Sequence, residues 1–118
     1  MIRTAREEEI DAVSALLAGA YAEYEPVFPS SDFWAFYRAS VVDVAGRWGE
    51  SQVWVAELDG ALAGSLDYFP PGGSEYHDFV SFPSSWASFR FLGIDPGRRG
   101  SGAGRALVEH AIALARRD

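Results

Sequence analysis

The chain contains no cysteine and no lysine. Without cysteine there is no disulfide framework, no thiolate nucleophile and no Cys-based zinc site. Without lysine there is no G-x-x-x-x-G-K-[ST] phosphate loop. No apolar run approaches the ~20 residues of a membrane-spanning helix. Met1 leads straight into Ile2-Arg3-Thr4-Ala5, with no apolar stretch behind a basic start, so no secretory leader is expected. These absences predict a soluble, cytoplasmic protein with no membrane partner. Positive charge is also scarce. Ten arginines face 17 acids, for a net charge of −7, which argues against general binding to nucleic acid or anionic lipid. What the chain does have is 118 residues that are 48% apolar and 14% aromatic, enough for one domain to bury a core unaided.

The charge is unevenly spread. Residues 1–50 carry 4 Arg against 9 acids, residues 51–97 carry 1 against 6, and residues 98–118 reverse the balance with 5 against 2. An acidic chain that gathers its cations in one segment either holds a polyanion there or ends in a basic, solvated helix.

Periodicity outlines the elements. Ile2-Arg3-Thr4 reads as a short strand, and Thr4 with Glu7 matches a capping box. Ile10, Val13, Leu16, Leu17, Ala20, Tyr21 and Tyr24 form a helical stripe that Pro26 and Pro29 end. Ser31 or Asp32 caps a second predicted helix with Phe33, Trp34, Phe36, Tyr37, Val41 and Val44, ending near Gly46 or Gly49. Gln52–Leu58, Asp59-Gly60 and Ala61–Phe69 spell a hairpin. Pro70–Ser85 is a long connection of a length that is either functional or mobile. Ala87–Ile94 is a further strand, and Ala103–Arg117 an amphipathic helix with Leu107, Val108, Ala111, Ile112, Leu114 and Ala115 on its apolar face. No internal repeat and no second domain are evident, so residues 1–118 read as one domain.

The most informative stretch joins that last strand to that last helix: Asp95-Pro96-Gly97-Arg98-Arg99-Gly100-Ser101-Gly102-Ala103-Gly104-Arg105. The first N–H groups of a helix lack intrahelical partners, and glycine lets an oxygen-rich ligand come close to the backbone. Together with the helix dipole and neighbouring arginines this makes an anion cradle. The dipole alone is worth only about 0.3–1 kcal/mol, so several converging N–H donors must carry most of the affinity. A dinucleotide fingerprint fails here, because Leu107 stands where G-x-G-x-x-G needs its third glycine.

Arg99-Gly100-Ser101-Gly102-Ala103-Gly104 does match the R/Q-x-x-G-x-G/A signature, and with the preceding Phe91–Pro96 strand it resembles the GNAT acetyltransferases. The order of elements is similar to that family over essentially the whole chain, with residues 86–116 the distinctive part. The resemblance implies an α/β fold: a mostly antiparallel sheet of about four strands flanked by three helices. It implies acetyl-CoA as acyl donor, its pyrophosphate on the amides of Gly100, Ser101, Gly102, Ala103, Gly104 and Arg105, with Arg99 opening the signature. Main-chain groups of Leu92, Gly93 and Ile94 would take the pantetheine arm, and an N–H near Ile94 the developing oxyanion. Arg98 would either touch the 3′-phosphate or face solvent.

The implied reaction is attack of an amine on the thioester, which needs a base. Relatives often carry a glutamate where this chain has Ser88, and serine is no base unaided. Glu75, His77 and Asp78 are the remaining candidates nearby, and His110 reads as a surface residue. The first two helices would border the acceptor, where Glu23, Glu25 and Asp32 would favour a cationic amine. Aromatic residues there (Tyr21, Tyr24, Phe28, Phe33, Trp34, Phe36, Tyr37) either pack the core, as at least half are expected to, or meet the substrate. The family normally continues past this helix into a splayed strand and a further helix, so the chain reads as truncated, with the Ala87–Ile94 edge covered by a second copy or a partner chain. The expected activity is N-acetyl transfer to a small or peptidic amine. The alternatives are an acyl-CoA-binding or structural remnant without turnover, and a half-domain needing a partner.

Overall fold

The computed structural model describes residues 1–72 and 85–118. Four antiparallel strands follow one another in the order β1 (Ile2–Thr4), β2 (Gln52–Leu58), β3 (Ala61–Phe69) and β4 (Ser88–Ile94). The β2–β3 turn is Asp59-Gly60, both at positive φ, as a tight two-residue hairpin requires. On one face lie α1 (Ile10–Tyr21), α2 (Ser31–Val42) and the single turn α3 (Val44–Arg47). Their Val13, Leu17, Val41 and Val44 are buried against Val53, Val55, Phe69 and Phe91 of the sheet. On the other face α4 (Ala103–Arg117) buries Leu107, Ala111 and Leu114 against Ala56, Ala63, Leu66 and Tyr68. No helix among the described residues is long and apolar enough to cross a membrane.

Several local expectations need correction. The Thr4–Glu7 capping box does not form. The first turn begins at Glu7, and Glu9 takes the N–H of Arg6 at 2.8 Å while gripping Arg3 through both carboxylate oxygens. That pairing holds the Glu9 carboxyl at about 2, against an ordinary value of 4.5. Helix α1 stops at Tyr21, and Tyr24 lies in a 3-10 turn over Ala22–Val27, because Pro26 has no N–H for the Ala22 carbonyl. The cap of α2 is Ser30, whose hydroxyl accepts from Phe33 N–H at 3.0 Å, and not Ser31 or Asp32. Asp43 interrupts the second helix at φ −81°, ψ 60° and caps α3 by accepting from Gly46 N–H. β4 starts at Ser88, not Ala87.

Candidate functional site

Two glycines set the shape of the loop before α4. Gly100 and Gly102 have φ of +82° and +87°, a region that costs other residues roughly 1–2 kcal/mol. A Cβ on either would meet nothing within 4 Å, so the loop faces open space. Of the six amides from Gly100 to Arg105, two are used internally: Ser101 N–H donates to the Arg98 carbonyl and Ala103 N–H to Ser101 Oγ. Among the described residues, nothing accepts from the N–H groups of Gly100, Gly102, Gly104 and Arg105. These are unsatisfied donors at the start of a 15-residue helix, where its dipole is positive.

The nearby arginines are each shared with a carboxylate. Arg99 makes a two-pronged contact with Glu23 at 2.7 and 2.9 Å, Arg105 reaches Glu109 at 2.9 Å, and Arg98 lies 4.0 Å from Asp95. The Glu23–Arg99 pair, exposed on both sides, ties the glycine loop to the 3-10 turn after α1 and holds the Glu23 carboxyl below its usual range. The unshared donors of the loop are therefore main-chain ones.

The loop forms one wall of an open cavity of about 450 Å³, whose other walls are Ala20, Tyr21, Glu23 and Tyr24 and the end of β4, Leu92–Ile94. Gly93 makes this approach possible, since a Cβ there would lie 2.8 Å from Leu17 Cδ2 and 3.1 Å from Ala20 Cβ. A second cavity, of about 340 Å³, adjoins the first across Tyr21, Tyr24 and Leu92, and is completed by Val27, Phe28 and Tyr37. The Phe28 ring sits 5.1 Å from those of both Trp34 and Tyr37, and Tyr21 stands 5.7 Å from Tyr24. Of the seven aromatic residues singled out in this region only Trp34 is fully buried; Tyr24, Phe33 and Phe36 are exposed. Tyr21 and Tyr37 are half-buried against the core and Phe28 is half-buried against Trp34, so four of the seven pack, in line with the expectation of at least half. Burial pushes the Tyr21 phenol up to about 12, so it stays protonated at neutral pH and can donate a hydrogen bond.

Leu92 reaches this junction because β4 carries a bulge. Ser65 pairs with Gly93 and Asp67 with Arg90, leaving Phe91 and Leu92 opposite the single residue Leu66. Phe91 sits at φ +58°, a strained position for a bulky residue. Phenylalanine is a good strand former, so nothing in the sequence marked it. Beneath it lies a second feature that sequence reasoning missed. Arg47 and Asp67, 4% and 0% exposed, pair at 2.6 Å. The one available sign was an acid inside the run Ala61–Phe69, whose other residues are apolar or small. Burial pushes the Asp67 carboxyl up, against the opposing pull of Arg47 and Ser51.

The remaining expected residues lie apart from this region. Ser88, half-buried, opens β4 opposite Phe69. Glu75, His77 and Asp78 lie outside the described residues. His110 is half-buried with its ring 4.2 Å from that of Trp54, packed against the sheet and not a free surface group. Among the described residues no cluster of three or more His, Asp or Glu could hold a metal.

Residues 13–118 match the model of the acetyltransferase (GNAT) family. None of the curated proteins matches the chain. Among solved structures, a GNAT family acetyltransferase from Brucella melitensis in complex with acetyl-CoA is similar at 25% identity and TM-score 0.65, over 98% of this chain and 68% of that one. The apo form of YjaB from Escherichia coli is similar at 27% identity and TM-score 0.64, over 98% and 66%. A PaiA N-acetyltransferase from Thermoplasma acidophilum in complex with coenzyme A shares the fold at TM-score 0.73 and 12% identity, over 99% and 72%.

Proposed function

The chain belongs to the acetyltransferase (GNAT) family, and from that premise we propose that it transfers an acetyl group from acetyl-CoA to a small or peptidic amine. The observation that carries this is the set of four N–H groups on Gly100, Gly102, Gly104 and Arg105 that have no partner among the described residues and open on the larger cavity. A diphosphate is the ligand such a cradle fits, since it offers several oxygens to converging donors at a helix start. Gly100–Arg105 would hold the pyrophosphate, and Leu92, Gly93 and Ile94 would offer main-chain groups to the pantetheine arm. Bound acetyl-CoA supplies an activated thioester carbonyl.

The acceptor would enter through the smaller, aromatic cavity, which meets the larger one at Leu92. Its walls suit an amine with an apolar or aromatic body. Contact with Val27, Phe28 and Leu92 disfavours the charged form of the amine by desolvation, which assists loss of its proton before attack. Tyr21, held at about 12, is a hydrogen-bond donor there and a poor proton source. Glu23 is occupied by Arg99, leaving Glu25 and Asp32 as the acids that would attract a cationic acceptor. Glu75, His77 and Asp78 are the candidates for a base acting directly or through water.

A second reading is a module that binds acyl-CoA without turnover, and Ser88 in the place of a glutamate favours it. The β4 edge has no strand beyond it among the described residues, and Trp86 and Phe89 beside it are exposed. A second copy or a partner polypeptide would cover that edge, in which case the chain is one part of a composite site. Calorimetry with acetyl-CoA tests the cradle: saturable binding is expected, and no heat at millimolar ligand would sink both readings. Thiol release across a panel of arylalkyl and peptidic amines then separates enzyme from binding module. Light scattering that returns a monomer at micromolar concentration removes the self-association.

A further inference from the structure

We infer that the buried Arg47–Asp67 pair is a positioning device: it holds Phe91 in its left-handed conformation, and so maintains the bulge that puts Leu92 between the two cavities. The bulge and its support belong to different parts of the chain. Arg47 ends α3, its Nε donates to Asp67 Oδ2 at 2.6 Å, and its two terminal nitrogens donate to the carbonyls of Ser40 and Val41, both at 2.9 Å. Ser51, just before β2, donates its hydroxyl to the same Asp67 oxygen at 2.8 Å. The guanidinium is thereby fixed from three directions, and its central carbon sits 4.0 Å from the centroid of the Phe91 ring. Arg90 adds a second guanidinium at 5.0 Å.

The register makes the coupling direct. Asp67 is paired with Arg90, the residue immediately before Phe91, so the acid that anchors Arg47 also stands at the edge of the bulge. A planar cation over an aromatic face is attractive in a dry site and fixes where the ring must lie. Phe91 can satisfy that contact while its strand carries one extra residue. A ladder without that residue would turn the side chains beyond it to the opposite face, moving Leu92 away from the junction.

Stability alone is a poor explanation for the pair. Desolvating two charges offsets much of their attraction, and apolar replacements of similar volume are often tolerated. Here Asp67 Oδ1 and the neighbouring Ser65 Oγ are also buried with no partner among the described residues, a cost that a purely apolar core would avoid. Neither residue lines either cavity, so the packing route from the pair to the junction runs through Phe91 and Leu92, beside the longer-range field of Arg47 at Tyr21. The consequence for CoA rests on the proposed function; the conformation of Phe91 does not.

The experiment compares the wild type with Arg47→Met/Asp67→Leu and with that double variant carrying Phe91→Gly. The first removes both charges together and so strands neither. Its Phe91 Cα and Cβ chemical shifts are expected to leave the left-handed range, and its affinity for CoA to weaken by about tenfold, a size normal for coupling through a packed network. Adding Phe91→Gly is expected to return the affinity to within about threefold of wild type, because glycine takes positive φ without a clamp. A general loosening of the core would not be repaired by a glycine. Unchanged Phe91 shifts in the double variant, or no recovery in the triple one, would overturn the inference. If the double variant does not fold, Arg47→Lys, which keeps the charge and loses the fork, is read by the same shifts, with the same outcomes deciding. Wild-type protein that fails to bind CoA refutes the proposed function, while the Phe91 shifts still decide the clamp.

Discussion

The glycine loop and the Arg47–Asp67 pair treat polar groups in opposite ways, though both serve the same strand. At the loop, four main-chain donors have no partner among the described residues and face an open cavity. Water satisfies them at little cost, and a ligand can replace that water. Below β4, the three nitrogens of the Arg47 guanidinium are all matched by protein oxygens, because water cannot reach them. An unpaired buried donor would cost the full price of its desolvation. Unsatisfied donors on the outside therefore suggest a site, and a buried guanidinium with a partner on each nitrogen suggests the frame that holds it. Among the described residues the frame leaves Asp67 Oδ1 and the neighbouring Ser65 Oγ unmatched, on the stretch of β3 opposite the bulge.

The contrast is tested hardest by removing one half of the frame. Asp67→Ala strands Arg47 as an uncompensated buried charge, so stability is expected to fall by about 3–5 kcal/mol. Urea denaturation at neutral pH measures it. A loss below about 1 kcal/mol, the level of an exposed pair, would mean that water reaches Arg47 and that the frame is not closed.

Next in size is a change to the loop. In Gly102→Val the added Cβ meets nothing within 4 Å, so no neighbour has to move for it, and the φ of +87° costs roughly 1–2 kcal/mol. CoA affinity is expected to drop by about a hundredfold, or about 2.7 kcal/mol, because the side chain blocks the approach to the amides and the turn that aims them is strained. The two effects separate experimentally: thermal unfolding shifts by several degrees, and calorimetry shows the larger loss in binding. Equal affinity in the folded variant would place the anion elsewhere.

The same contrast explains what could be read from the chain alone. The loop, the hairpin and α4 were legible because their determinants are local. Glycine spacing, Asp59-Gly60 and a 3.6-residue stripe each act within a few positions of one another, and Ala103–Arg117 appears with the bounds its pattern predicted. The frame was not legible, because Arg47 and Asp67 are twenty positions apart and their chemistry exists only once α3 lies on β3. The bulge left no local mark, since the residue at positive φ is a phenylalanine where a glycine would have announced it. Capping was misplaced by one or two residues at Thr4, Ser31 and Asp32 for a related reason. Several hydroxyls and acids stood within reach of each helix start, and tertiary partners such as Arg3 for Glu9 decided between them.

The smallest effect concerns the exposed link between the two regions. Glu23 holds Arg99 at the rim of the cavity, and two readings of it make opposite predictions. As a strut, it would orient Arg99 for a phosphate, and its loss would weaken CoA. As a competing anion, it would repel the diphosphate and occupy the arginine, and its loss would strengthen CoA. Its exposure favours the second, since a solvated pair gives little orientation and is readily exchanged. Glu23→Gln is therefore expected to tighten CoA binding about two- to threefold at low ionic strength, and the gain to vanish in high salt as screening shortens the reach of the charge. The pH dependence has a fixed sign. Arg99 depresses the Glu23 carboxyl, so its charge, and with it the penalty on the ligand, persists at neutral pH and is lost only as pH falls through that lowered value. Wild type and variant should converge there, and weaker binding by the variant at pH 7 would make Glu23 a strut.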